Sequence, residues 1–223
     1  MLGVVTSLGA VLLPRASYYI EHGMHEKFLS IAKKAIEFVF LIATPLMVYF
    51  ILFAKEGVFF LSGLAYSGSI IPMQIIMPTL LFIGLTNIMG IQMLVPLGKE
   101  KIVLYSEIIG AIMDLILNFI LIPKMASVGA AFGTLVAEMA VWIVQIVALR
   151  SIVLDAYREI HYKSILVAIL LGIIISGWVK CMSWGNFISL FVSGILFFGI
   201  YLLALVVLKE PLICEIKGQV INM

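Results

Sequence analysis

Apolar runs long enough to cross or nearly cross a bilayer alternate with short polar stretches along this chain, at 36–53, 70–97, 102–122, 127–150, 164–179 and 187–208. A membrane helix needs roughly 20 such residues to bridge about 30 Å of hydrocarbon. A further apolar stretch, 1–13, would give only about 20 Å of helix unless it continued to Ile20. It has no basic n-region and no small-residue cleavage site, so it does not read as a signal peptide. The pattern predicts an all-α polytopic membrane helix bundle of one partial and six full transmembrane helices, in a chain that begins inside a helix with a segment missing upstream.

The punctuation between runs sets the expected organisation. Pro14-Arg15 is expected to break the first helix, and a polar connector to follow over 17–34. A Gly- and Ser-rich loop is expected over 57–69 and a charged connector over 151–163. Pro45 lies inside a span, where neighbouring helices can re-satisfy a freed carbonyl. The run 70–97 holds Pro72 and Pro78 together with Gln74, Asn87 and Gln92, the mark of a broken, pathway-lining helix. Residues 1–150 read as one lobe, incomplete at its start, and 151–223 as an additional two-helix segment.

The richest stretch is 98–138. At about 100° per residue, Glu107, Gly110, Ala111, Asp114 and Asn118 fall within an arc of roughly 100°, while Ile, Leu and Met take the rest of that helix. Asp114 would sit about 18 Å from the helix start, too deep for so short a side chain to reach water. An ionised Asp there costs about 2.5–3.5 kcal/mol, so it should face protein or a wet cavity. Ile122-Pro123-Lys124 then predicts a tight turn into a second helix. That helix carries a small stripe of Gly129, Gly133, Ala137 and Ala140 for close packing. Ala131, Thr134, Glu138 and Gln145 are expected on its opposite, polar side. The buried amides can be read as pathway lining or as interhelical hydrogen-bond partners. Asp114 is the candidate for carrying a proton or cation, against a plain hydrogen-bonding role in place of Asn; Glu107, nearer the helix end, can be read as snorkelling to the surface.

Composition agrees with the pattern. The chain is 64% hydrophobic and 12% charged, with mean hydropathy +1.23, whereas soluble domains carry about 25% charged residues. A net charge of +2 and the absence of any recognition module argue against nucleic acid as a partner. Of the 14 Lys and Arg, all but Lys55, Lys124 and Lys180 fall on one side of the predicted topology. That side, which includes the C-terminal tail, is expected to be cytoplasmic. Cys181 and Cys214 would lie near opposite faces and imply no disulfide. His22-x-x-His25-Glu26 has helical spacing for a metal, but no third ligand set accompanies it, and neither metal nor cofactor is expected. No phosphate loop, nucleophile elbow or acyl-transfer arrangement appears, so there is no motif for an enzyme.

Four stretches carry a family resemblance: Leu13-Pro14-Arg15-Ala16-Ser17; Leu94-Val95-Pro96-Leu97-Gly98-Lys99-Glu100-Lys101; Asn118-x-x-Leu121-Ile122-Pro123-Lys124; and Val128-Gly129-Ala130-Ala131-x-x-Thr134-x-x-x-Glu138. Over about residues 2–150 the chain resembles the polysaccharide transporter (O-antigen flippase) family, in the superfamily of multidrug and toxin extrusion proteins and lipid II flippases. The resemblance implies the second lobe of a two-lobe, alternating-access transporter in a bacterial inner membrane. Its cargo would be an undecaprenyl-diphosphate-linked oligosaccharide, and its partners the missing N-terminal lobe, membrane lipids and the polysaccharide polymerase and ligase machinery. Arg15 is the candidate diphosphate contact, with an anchoring role as its plain alternative; Asn87, Gln92, Glu107, Asp114, Asn118 and Glu138 are the other pathway candidates. The chain departs from the family pattern at Asp114, where a neutral residue is expected, and at Met125-Ala126, where the family's run has Tyr-Gly. A cation-coupled small-molecule exporter, or a non-transporting membrane remnant of a truncated gene, are the alternative expectations.

Overall fold

The computed structural model describes residues 2–182 and 184–214, with side chains from Leu12 onward. Residues 215–223 of the predicted polar tail, Lys217 among them, lie outside the described residues. Among the described residues the chain is helical throughout: α1 (Leu2–Glu21), α2 (His25–Leu52), α3 (Ala54–Ser62), a 3-10 segment (Leu64–Ser69), α4 (Ile70–Ile76), α5 (Thr79–Asn87), a π-helical segment (Ile88–Leu94), α6 (Glu100–Ala148), α7 (Arg150–Glu159), α8 (Tyr162–Gly177), a 3-10 segment (Trp178–Cys181) and α9 (Asn186–Val207). The expected all-α membrane helix bundle is what forms.

Taken whole, α2, α6, α8 with its 3-10 extension, and α9 are long and apolar enough to cross a membrane; the pair 64–76 and 79–94, bent by 42°, is a fifth candidate if it is one broken span and not a re-entrant loop. One of these is two crossings. A straight helix of 49 residues would extend about 74 Å and hold residues 106 and 145 about 58 Å apart. Instead Ser106 Oγ accepts a hydrogen bond from Gln145 Nε2 at 3.1 Å, and Thr134 Oγ1 donates to Asp114 Oδ1 at 3.3 Å. Position 129 sits against Leu121, 133 against Asn118, and 110 against Val141. These pairings are those of two antiparallel legs, 100–125 and 127–148, folded back at Ala126, where φ is 47° and ψ −126°. The tight turn expected after Pro123 is therefore present, three residues later than the proline.

The chain divides into two compact units. The first comprises residues 1–44 and 71–159. Its core is the run Leu85, Ile88, Met89, Met93 and Leu94 together with Ile36 and Val39, all 1% exposed or less. α1 packs on α5 and the π segment, and α5 packs on α6. The π segment shows in Val95 N, which bonds five residues back to Gly90 O (3.2 Å) just before Pro96, a residue with no amide to donate, and Gly98 (φ 70°) then ends the helix as Lys99 N bonds Leu94 O (2.8 Å). The second unit comprises 45–70 and 160–223. There α8 and α9 lie against each other and α3 packs on α9, around Tyr49, Phe53 and Phe197.

Three expected connectors differ from what forms. α1 runs unbroken through Pro14 to Glu21, and only a turn around Gly23 (φ 68°) separates it from α2. The charges of 25–34 that suggested a connector occupy the outer face, while Phe28, Ala32 and Ala35 form a buried stripe at helical spacing. The expected loop at 57–69 is α3 and a 3-10 segment, because Ala54, Gly57 and Val58 supply a buried face. The expected connector at 151–163 holds α7, which buries Val153 and Ala156 and ties its exposed end to α2 through Lys33 Nζ and Glu159 Oε1, 2.6 Å apart.

Candidate functional site

The polar residues of α6 meet across its two legs. Asp114 is 14 residues from the start of the first leg and 12 from the fold-back, about 21 and 18 Å along the helix, and so lies near mid-span. Its Oδ2 accepts from Asn118 Nδ2 at 2.9 Å, one turn along the same leg, and its Oδ1 accepts from Thr134 on the other. Gly133 makes this approach possible: a Cβ there would come within 2.8 Å of Asn118 Oδ1. That amide oxygen is buried and has no hydrogen-bond partner among the described residues.

Glu138, one turn beyond Thr134 and half-buried, lies within electrostatic reach of both Glu107 and Asp114. Glu107 itself is exposed. The seam therefore gathers three carboxyl groups and an orphaned amide oxygen. Between Lys101 and Arg150 the only basic residue is Lys124, near the fold-back. In a low-dielectric surround an acceptor-rich seam is stable only if it is supplied with protons, cations or further donors.

The expectation that the polar stripe of the second leg faces away from its packing stripe needs correction. Gly129, Gly133 and Ala137 are buried as expected, but Gln145 is also fully buried and donates to Ser106, and Thr134 bonds to Asp114. Both stripes serve the contact between the legs, because the polar groups of the first leg can be met only from the second. Ser106, fully buried, escaped attention in the sequence, although it stands one turn before Gly110 and extends the same small, polar row toward Asp114 and Asn118.

The other candidates separate from this seam. Asn87 Oδ1 accepts from Gln92 Nε2 at 3.2 Å across the π segment, a five-residue spacing that π geometry brings onto one face. Gln92 is 3% exposed and its Oε1 has no partner among the described residues. It lines a cavity of about 10 Å3 with Leu12, Ala16, Phe28, Ile31, Ala32, Ala35, Ile88 and Met93, space for about one water. Arg15 is exposed on α1. Glu210, in the second unit, is a buried carboxylate that the hydropathy pattern concealed within the predicted tail: it is 1% exposed, and its Oε2 accepts from Ile213 N at 3.0 Å, capping the helical turn that follows.

Fold and seam together define an all-α membrane protein with polar groups held between its helices. The uncharacterized membrane protein MJ1068 of Methanocaldococcus jannaschii is 28% identical over 211 residues, which take in 95% of this chain and 41% of that protein. The chain thus spans about two fifths of the length of the relative it matches. No family model matches the sequence, and no solved structure matches it.

Proposed function

We propose that this chain is one lobe of an alternating-access transporter for lipid-linked oligosaccharide, driven by a proton or cation that the α6 seam takes up. The observation that carries the coupling is Asp114, held near mid-span between an amide and a hydroxyl donor, with Glu138 in electrostatic reach of it and of Glu107. Side chains of this kind inside a membrane mark ion and proton pathways. The cargo rests on the motif resemblance. One structural feature supports that resemblance: Ala126, where the family's run has Gly, adopts a positive φ, the backbone region in which Gly is the natural residue. On the asymmetry of Lys and Arg, Lys99 and Arg158 face the cytoplasm of a plasma membrane, the tail lies on the same side, and Lys124 and Lys180 lie outside.

A lobe supplies one wall of such a cavity, whose site lies at the interface between repeats. The test therefore uses the full-length two-lobed protein in a strain lacking its own oligosaccharide transporter. Restored surface glycan supports the cargo assignment. Asp114→Asn keeps hydrogen bonding and cannot titrate, so export should fall at least tenfold and lose its pH dependence. Export at the parental rate with an unchanged pH profile would remove the coupling role and leave Asp114 a hydrogen-bond partner. The absence of basic residues from the interior of the hairpin favours a second reading, a cation-coupled exporter of small cationic molecules. Proton-dependent efflux of a cationic dye without glycan export would select it.

A further inference from the structure

The second unit carries a groove of about 310 Å3 walled by Tyr49, Phe50, Phe60, Phe187, Phe191 and Ile195. Its wall is flat and aromatic: Phe60 and Phe187 lie 5.1 Å apart between centroids, and Phe187 stacks on Phe191 at 6.1 Å. The one hydroxyl on that wall is already used, since Tyr49 donates to Leu190 O at 2.6 Å and lies 3.1 Å from Ser193 Oγ. Such a surface offers dispersion contacts to a hydrocarbon chain, and its one side-chain hydroxyl is already engaged.

One end of the same unit is cationic. Lys180 Nζ lies 5.1 Å over the ring of Phe53 and donates to Leu52 O at 2.5 Å; the Phe53 ring in turn packs 5.0 Å from Tyr49 on the groove wall. Lys55 lies 5.9 Å over Phe59, the neighbour of Phe60. Both lysines are exposed. Trp178 and Trp184 meet 6.2 Å apart at this end, and tryptophan with lysine marks the level of lipid headgroups. Glu56, half-buried, follows Lys55 in the chain.

We propose that this groove binds a hydrocarbon chain of an anionic phospholipid of the bilayer, whose headgroup phosphate is held by Lys55 and Lys180. Charge complementarity singles out this occupant, because a zwitterionic lipid would fit the aromatic wall equally well and gain less from the two ammonium groups. A lysine near the surface adds about fivefold to the binding of an anionic lipid. Two lysines together would give about 25-fold, which the neighbouring Glu56 carboxylate lowers to roughly twentyfold.

The experiment is native mass spectrometry of the full chain taken from nanodiscs holding equal amounts of phosphatidylglycerol and phosphatidylcholine. The expected result is retained phosphatidylglycerol in roughly twentyfold excess over phosphatidylcholine. Lys55→Gln with Lys180→Gln should bring the ratio close to one, Lys55→Arg with Lys180→Arg should preserve it, and Ile195→Trp, which narrows the groove, should remove both lipids. Equal retention by the unaltered chain overturns the proposal, as does a preference that survives the glutamine pair. So does a lipid-free dimer that Ile195→Trp dissolves, which would make the groove a contact between copies. The arginine pair shows whether a loss in the glutamine pair reflects charge; if the arginine pair loses the preference too, the headgroup assignment falls.

Discussion

The two legs of α6 and the pair α8 and α9 both pack membrane helices against each other, and they are held by opposite means. Between Ser164 and Leu208 the only charged residue is Lys180, in the connecting segment. Two serines of α9 bond to their own stretch of chain, Ser189 to Trp184 O and Ser193 to Leu190 O, and shape joins the two helices where Phe197, fully buried, fills the space over Gly172, whose added Cβ would meet its ring at 3.0 Å. In α6 a carboxylate and an amide each meet a hydroxyl of the other leg, Asp114 with Thr134 and Gln145 with Ser106. A serine hydroxyl can be satisfied within its own helix, whereas a carboxylate near mid-span needs donors brought to it. The contact of the first pair thus includes polar bonds between the legs, and that of the second the fit of a ring over a glycine.

The comparison breaks most sharply at Gly129. A Cβ there would come within 2.6 Å of the backbone oxygen of Leu121, and a carbonyl cannot rotate aside as a side chain can. Gly129→Leu should destabilise the chain by about 3 kcal/mol in detergent unfolding. Gly199→Leu on α9, where the added atom meets nothing within 4 Å, should leave stability unchanged or slightly raised. Equal effects at the two sites would mean that the legs of α6 do not pack as closely as these contacts require.

The second pair should yield to a change of shape rather than of chemistry. Phe197→Ala removes a ring that packs on Tyr49 at 5.5 Å and Phe198 at 5.2 Å between centroids. In water such a truncation costs about 3–5 kcal/mol, but in lipid part of that cost disappears because hydrocarbon solvates the exposed surface. About 2 kcal/mol remains, and Phe197→Leu should recover roughly half of it. A loss below about 0.5 kcal/mol for Phe197→Ala would show that the α8 and α9 contact does not depend on this ring.

How much of this was legible in the sequence follows from the same contrast. Length and hydropathy located α8 and α9 within two residues, since an uninterrupted apolar run admits no other reading in a membrane. The arc holding Glu107, Asp114 and Asn118 identified the polar face of the first leg, because a 3.6-residue period projects directly onto a helix surface. The partner of that face was not legible: helical projection says which residues share a side and nothing about which leg turns toward them, so Thr134 and Gln145 were assigned to the wrong surface. Charge misled in a different way. Charged residues over 17–34 and 151–163 suggested connectors, yet the buried residues at i, i+3 and i+4 among them were enough to make helices. Glu210 gave no periodic signal, since a single acidic residue just after an apolar helix belongs to no repeat.

The smallest predicted effect tests the fold-back itself. Ala126 is held at φ 47° and ψ −126°, a region that costs a residue bearing a Cβ on the order of 1–3 kcal/mol and glycine almost nothing. Ala126→Gly should relieve that strain, while the greater freedom of glycine in the unfolded chain returns about 0.4–1 kcal/mol of the gain. The strain term is the larger, so the variant should be more stable by about 1 kcal/mol. Alanine to glycine within a helix does the reverse and costs about 1 kcal/mol, so the sign of the change separates the two possible backbones at this position. Thermal unfolding of Ala126→Gly beside Ala130→Gly, a helical position on the second leg, reads both signs in one experiment. Stabilisation at 126 with destabilisation at 130 is expected of a hairpin, and destabilisation at both would mean that the helix continues through the turn and that Asp114 and Thr134 do not meet.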